Sequence, residues 1–166
     1  GIIVGAVGST GLSTNLIIVI EFIAKDNIVI LLFLTIILCL LLGMGLPTTA
    51  NYVVVASLMA AVLVEVGAAS GFIFPLIAVH LFVFYFGLMA DVTPPVGLAS
   101  YAAAAISGGD PLRTGMQAFW YSLRTAILPI VFLFNHELLL IGIENIWHGL
   151  LVIVTSLIGI LIFTSA

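Results

Sequence analysis

Gly43-Met44-Gly45-Leu46-Pro47-Thr48-Thr49-Ala50-Asn51 and, further on, Asp91-Val92-Thr93-Pro94-Pro95-Val96-Gly97 are the two stretches that decide how this sequence is read. Each interrupts apolar sequence with Gly, Pro and Thr, where a loop in water would carry charge. A helix rises about 1.5 Å per residue and a bilayer's hydrocarbon core is about 30 Å thick, so a perpendicular span needs about 20 residues. The apolar runs 28–42, 52–66 and 96–106 beside the breaks fall short of that, whereas 72–90, 118–134 and 146–163 come close. Two shorter apolar runs, 2–7 and 16–24, precede them.

Composition says what surrounds these runs. The 166 residues are 64% hydrophobic and 6% charged, whereas a soluble domain devotes about a quarter of its residues to charge. The solvent is therefore lipid. A net charge of -4 comes from scattered single carboxylates, and three basic residues exclude a nucleic-acid partner. Cys39, the one cysteine, lies in an apolar run and reads as a small packed hydrophobe. The sequence opens on Gly1 without a basic leader and closes straight after an apolar stretch, so it reads as a fragment.

Main chain that leaves helical geometry at membrane depth has unsatisfied amides and carbonyls costing several kcal/mol each, roughly, and survives only where protein, water or a ligand supplies partners. Short, Gly/Pro-interrupted segments in corresponding places are the best pointer a sequence offers to a transporter's binding site. Thr93 before Pro94 suits an N-cap followed by the first helical residue, so helix is expected to restart near Pro94. Pro47 with Thr48 and Thr49 plays the same part after the first break, and Gly43 and Gly45 permit close approach at its tip. Asp110-Pro111 is a third helix start, placed in water. Pro129 should kink 118–134, with Thr125 available to bond a freed carbonyl. Near the beginning, Gly5, Gly8 and Gly11 end one helix near Val7 and admit an amphipathic one, Leu12–Ala24, lying on the interface.

Among single residues Asp91 stands out, an ionisable group at the end of a long apolar run. Ionisable groups at depth are functional by default, although Asp91 also suits a cap on the restarting helix. His80, Phe84, Gly87 and Asp91 share one helical face, with His80 and Asp91 about 16 Å apart along the axis; His80 reads as a packed residue bonded to a neighbouring helix. Thr48, Thr49, Asn51 and Thr93 place neutral oxygens beside the breaks, suited to a hard monovalent cation, while the N-termini of the restarting helices favour an anion. Plain helix capping is the alternative for these hydroxyls. Arg124 reads as a snorkelling side chain, Trp120, Tyr121, Trp147 and His148 as an interfacial belt, Glu65 as the wet end of a half helix, and Glu137 and Glu144 as flanks of a loop. Arg113 weakly favours a cytoplasmic loop. A catalytic reading lacks paired deep carboxylates, a nucleophile motif and clustered metal ligands.

Gly43-Met44-Gly45-Leu46-Pro47-Thr48-Thr49 and Asp91-Val92-Thr93-Pro94-Pro95-Val96-Gly97 together resemble the C-terminal half of the large membrane subunit of tripartite ATP-independent periplasmic (TRAP) transporters, over about residues 1–135. The Leu-Pro-Thr-Thr-Ala variant is similar to fused permeases, in which small and large membrane subunits share one polypeptide. The resemblance implies an all-α membrane protein with a re-entrant helical hairpin and a broken helix, part of an inverted-repeat, elevator-type transporter in the bacterial inner membrane. Its hairpin falls on 27–68 and its broken helix on 69–107, and the runs and breaks add an interrupted first helix with an interfacial one (1–26), a kinked span (108–135) and a last span (136–166). It also implies a sodium ion as coupling ion without other cofactor, an organic anion, often a carboxylate, as substrate, and a periplasmic solute-binding protein and a small membrane subunit as partners. Carried to this sequence, sodium would be held near Gly43, Thr48, Thr93 and Val96, with Thr49, Asn51, Asp91, Pro94 and Gly97 lining the site. Many relatives have a carboxylate at the hairpin tip where this chain has Pro47-Thr48. A channel-like pore subunit and a non-transporting assembly subunit are the rival readings.

Overall fold

The computed structural model describes residues 9–25, 27–44 and 46–165. The helix expected to end near Val7, with Gly5 and Gly8, and the tip residue Gly45 lie outside the described residues. Every regular element among the described residues is helical: α1 (Leu12–Ala24), α2 (Ile28–Gly43), α3 (Thr48–Ala69), α4 (Leu76–Ala90), α5 (Leu98–Ser107), α6 (Pro111–Thr125), α7 (Ile127–Phe134), a 3-10 turn (His136–Leu139) and α8 (Ile146–Ser165).

The boundaries follow from local chemistry. Asn27 starts α2, its Oδ1 accepting from the amides of Val29 (3.0 Å) and Ile30 (3.4 Å). Pro47, at φ -57°, sets the entry to α3. That helix runs for 22 residues, longer than the apolar run 52–66 within it, because the flanking Thr48, Thr49 and Asn51 and the segment through Ala69 stay helical. It closes in a Schellman motif: Gly71 at φ 85° lets the Phe72 amide reach the Gly67 carbonyl (2.8 Å) and its own amide reach that of Ala68 (3.1 Å). Glu65 is exposed, within the last turns of this long helix rather than at the end of a short one.

Conversely, 72–90 is not a full-length span. Pro75 starts α4, which keeps 15 residues, about 22 Å. Phe72 and Phe74 stack on each other outside the helix and each meets the ring of Phe134 edge-on at 5.4 Å. The expected cap at Asp110 is present, its Oδ1 accepting from the Arg113 amide (2.8 Å) with Pro111 first in the helix. Pro129 acts one turn upstream, where helix pauses at Ala126 between α6 and α7. Thr125 turns its hydroxyl to the Ser122 carbonyl (2.7 Å), not to a carbonyl freed by the proline.

α2, α3 and α4 pack against one another, α1 lies against α2 and α3, α7 leans on α4, and α5 pairs with α6. Leu31, Cys39, Val55, Met59, Leu63, Val79, Phe82 and Val83 are fully buried between the three central helices. The outer surface is apolar too: on α1, Ile18, Val19, Phe22 and Ile23 are exposed. Among the described residues, three helices are long and apolar enough to cross a membrane: Thr48–Ala69, Pro111–Phe134 taken through the pause, and Ile146–Phe163. α2, α4 and α5 are shorter.

At Gly43, the last residue of α2, the central helices approach closely: a Cβ there would run into the Ala90 methyl and the Asn51 amide. Gly43→Val should therefore cost about 1–3 kcal/mol by overpacking, read as a lower unfolding midpoint in detergent. Gly159→Ala, where an added Cβ meets nothing within 4 Å, should not lower it.

Candidate functional site

The two breaks meet. Thr48, first residue of α3, donates its hydroxyl to Asp91 Oδ2 at 2.7 Å, joining positions 43 residues apart. Both side chains are half-buried. Asp91 follows the last residue of α4 and its carboxylate stands beside the N-terminus of α3, where the amides of the first turn have no helical acceptor and negative charge is favoured by about 0.3–1 kcal/mol. A carboxylate of the chain itself thus already occupies the electropositive end of α3.

The second break differs from its sequence reading in register. Helix restarts at Leu98, not near Pro94. Thr93 does not cap it; its hydroxyl reaches back to the Met89 carbonyl (2.6 Å) and seals the end of α4. Successive turns carry the chain away, with Val92, Thr93 and Gly97 amides donating to the carbonyls of Met89, Ala90 and Thr93 at 3.1–3.2 Å. The Pro94-Pro95 bond is cis, and the Tyr101 hydroxyl donates to the Pro95 carbonyl. Asp91 contributes to the restart through its main chain, its carbonyl accepting from Ala99 (3.1 Å), while its carboxylate goes to Thr48. One of the amides that an anion could use at α5 is therefore committed internally.

The expected site residues separate by depth. Thr48, Asp91, Thr93, Pro94 and Val96 are half-buried around the junction, Thr49 is exposed on the first turn of α3, and Gly43 and Gly97 are buried. Asn51 is fully buried, its Nδ2 donating to the Cys39 carbonyl (3.0 Å). Among the described residues, Asn51 Oδ1 and Ser100 Oγ are the buried side-chain polar atoms without a hydrogen-bond partner, and they flank the first and second breaks respectively. Ser100 sits under Gly97 and against Gly115 of α6, where absent side chains let the restarting helix pack closely.

The face read from sequence as His80, Phe84, Gly87 and Asp91 lies along α3. His80 Nδ1 shares a hydrogen bond with the Tyr52 hydroxyl (3.0 Å), Phe84 meets the Tyr52 ring edge-on at 5.6 Å, Gly87 faces the Asn51 amide, and Asp91 meets Thr48. The roles of Gly87, Ala90 and Ser100 were not foreseen. Gly87 was visible on the right face, but no pattern in the sequence says which residue of α3 it would meet.

Apolar helices throughout, three of them long enough to span among the described residues, define an α-helical membrane protein. Residues 1–159 match the family described as "Tripartite ATP-independent periplasmic transporter, DctM component", and the chain belongs to that family. It is a family of transporters, not of enzymes. No curated protein and no solved structure matches the chain.

Asp91→Asn keeps an oxygen that can accept from Thr48, whereas Asp91→Leu leaves that hydroxyl without its partner. The leucine variant should lose about 1–3 kcal/mol of stability, as for a hydrogen bond to a charged group, and the asparagine variant less than half of that, measured as unfolding midpoints in detergent.

Proposed function

We propose that this chain carries the ion- and substrate-holding unit of a sodium-coupled secondary transporter that imports organic anions, carboxylates among them, handed over by a periplasmic binding protein at the bacterial inner membrane. The observation that carries the reading is the Thr48–Asp91 hydrogen bond, which unites the two breaks in one place. Sodium is a hard cation that prefers oxygen, and the junction offers the Asp91 carboxylate, the hydroxyls of Thr48 and Thr93 and the main-chain carbonyls near Gly43 and Val96. A cation there offsets the negative charge of Asp91, which otherwise repels an anionic solute. Binding of the two is thereby coupled. Exposed Thr49 and half-buried Pro94 form the substrate side of the junction.

The mutual packing of α2, α3 and α4 supports a further element of the reading: hairpin and broken helix travel as one body past a fixed scaffold. α2 and α3 form the re-entrant hairpin, and a small membrane subunit completes the importer. The test is uptake of a labelled carboxylate into proteoliposomes with the binding protein supplied. Uptake should saturate, require an inward sodium gradient, and fall at least about tenfold in Asp91→Ala, the scale expected for loss of about 1.4 kcal/mol or more of ion binding. Thr93→Ala should raise the sodium requirement. Unsaturable flux indifferent to sodium in the unaltered protein would point to a pore instead.

A further inference from the structure

Asn51 lies one helical turn after Thr48 on the same face of α3. Its amide spans to the Cys39 carbonyl in the last turn of α2 and so ties the two arms of the hairpin together just below their tip. On the other side it meets α4: a Cβ built on Gly87 would come to 3.3 Å from Asn51 Nδ2, and one on Gly43 to 2.5 Å. Gly43, Gly87 and Ala90 leave the room that this one amide occupies. The end of α2, the start of α3 and the end of α4 thus converge on a single polar side chain, and each lies about a turn from the Thr48–Asp91 bond.

Asn51 has no exposed surface, so it does not itself offer atoms to a solute. Nor is it the choice that stability alone would make. Its Oδ1 has no donor, and a buried acceptor left unpaired costs about 1–3 kcal/mol. An apolar side chain of the same branched shape would carry no unpaired acceptor there. Residues that break the local rule of polar satisfaction at a functional junction are retained for what they hold in place.

Resting on the reading of Thr48 and Asp91 as a cation site, we propose that Asn51 is a positioning residue that sets the distance between Thr48 and Asp91 and thereby the sodium affinity of the junction. The inference separates it from the lining residues: it acts through Thr48 and touches neither ion nor solute.

The experiment compares the unaltered transporter with Asn51→Leu, Thr48→Val and the double variant. Sodium affinity is read from the sodium-dependent rise of the unfolding midpoint in detergent, which does not need transport, and from the sodium dependence of uptake in proteoliposomes. Asn51→Leu loses the bond to the Cys39 carbonyl and adds volume, so its own unfolding midpoint without sodium is the baseline from which the sodium-dependent rise is read. Its half-saturating sodium concentration should rise about tenfold, with the maximal uptake rate changed less than twofold. In the Thr48→Val background the same substitution should produce no further shift, the mark of one residue acting through another. A shift below twofold for Asn51→Leu overturns the proposal, as does a full, additive shift in the Thr48→Val background. Should leucine prevent folding, Asn51→Ala, which removes the amide and its bond to the Cys39 carbonyl without adding volume, is read by the same criteria. If Thr48→Val alone leaves sodium affinity unchanged, the cation-site reading itself has failed; a Thr48→Val effect without coupling to position 51 removes only the positioning role.

Discussion

The hydrogen bond from Thr48 to Asp91 is the interaction on which the rest of the arrangement depends. Helix ends leave main-chain groups unpaired, and lipid offers them nothing. Partners from another part of the chain meet that need. Here the start of α3 receives the carboxylate that ends α4, and the carbonyl of the same aspartate receives an amide of α5. One residue thus serves two helix termini, with its side chain toward one and its main chain toward the other.

Close packing makes that exchange possible. Side-chain bulk at positions 43, 87 or 90 would hold the central helices apart, and the carboxylate would no longer reach the hydroxyl. Further from the junction the contacts become larger and apolar, with Met59, Leu63, Phe82 and Val83 filling the interior and Phe72, Phe74 and Phe134 joining α7 to the entry of α4. The polar region is therefore small and held in a rigid apolar frame. Such a frame lets a few oxygens keep their places without water to support them.

Much of this was legible in the sequence. The breaks announce themselves because Gly, Pro and Thr replace charge between apolar runs, and Asp110-Pro111 specifies its helix start through purely local bonds. Where local chemistry offered two outcomes, the reading failed. Thr93 has the composition of an N-cap, yet a threonine hydroxyl bonds a carbonyl one turn behind it equally well, and helix restarts only at Leu98. Apolar run length also misjudged α3 and α4, since polar residues at the ends of α3 remain helical while Pro75 cuts the run before α4. The pairing of Thr48 with Asp91 and the burial of Asn51 depend on how helices approach in three dimensions, and spacing along one chain carries no record of that.

The last helix stands differently in the molecule. Of the described side chains of α8, Val152 alone is buried; the helix rests on the 3-10 turn before it, and His148 Nε2 meets Glu137 Oε2 at 3.4 Å. The apolar sides of this helix are thus left to what surrounds the chain, lipid or further protein. It joins the rest of the chain through the turn at His136–Leu139, well apart in sequence from the junction of the broken helices.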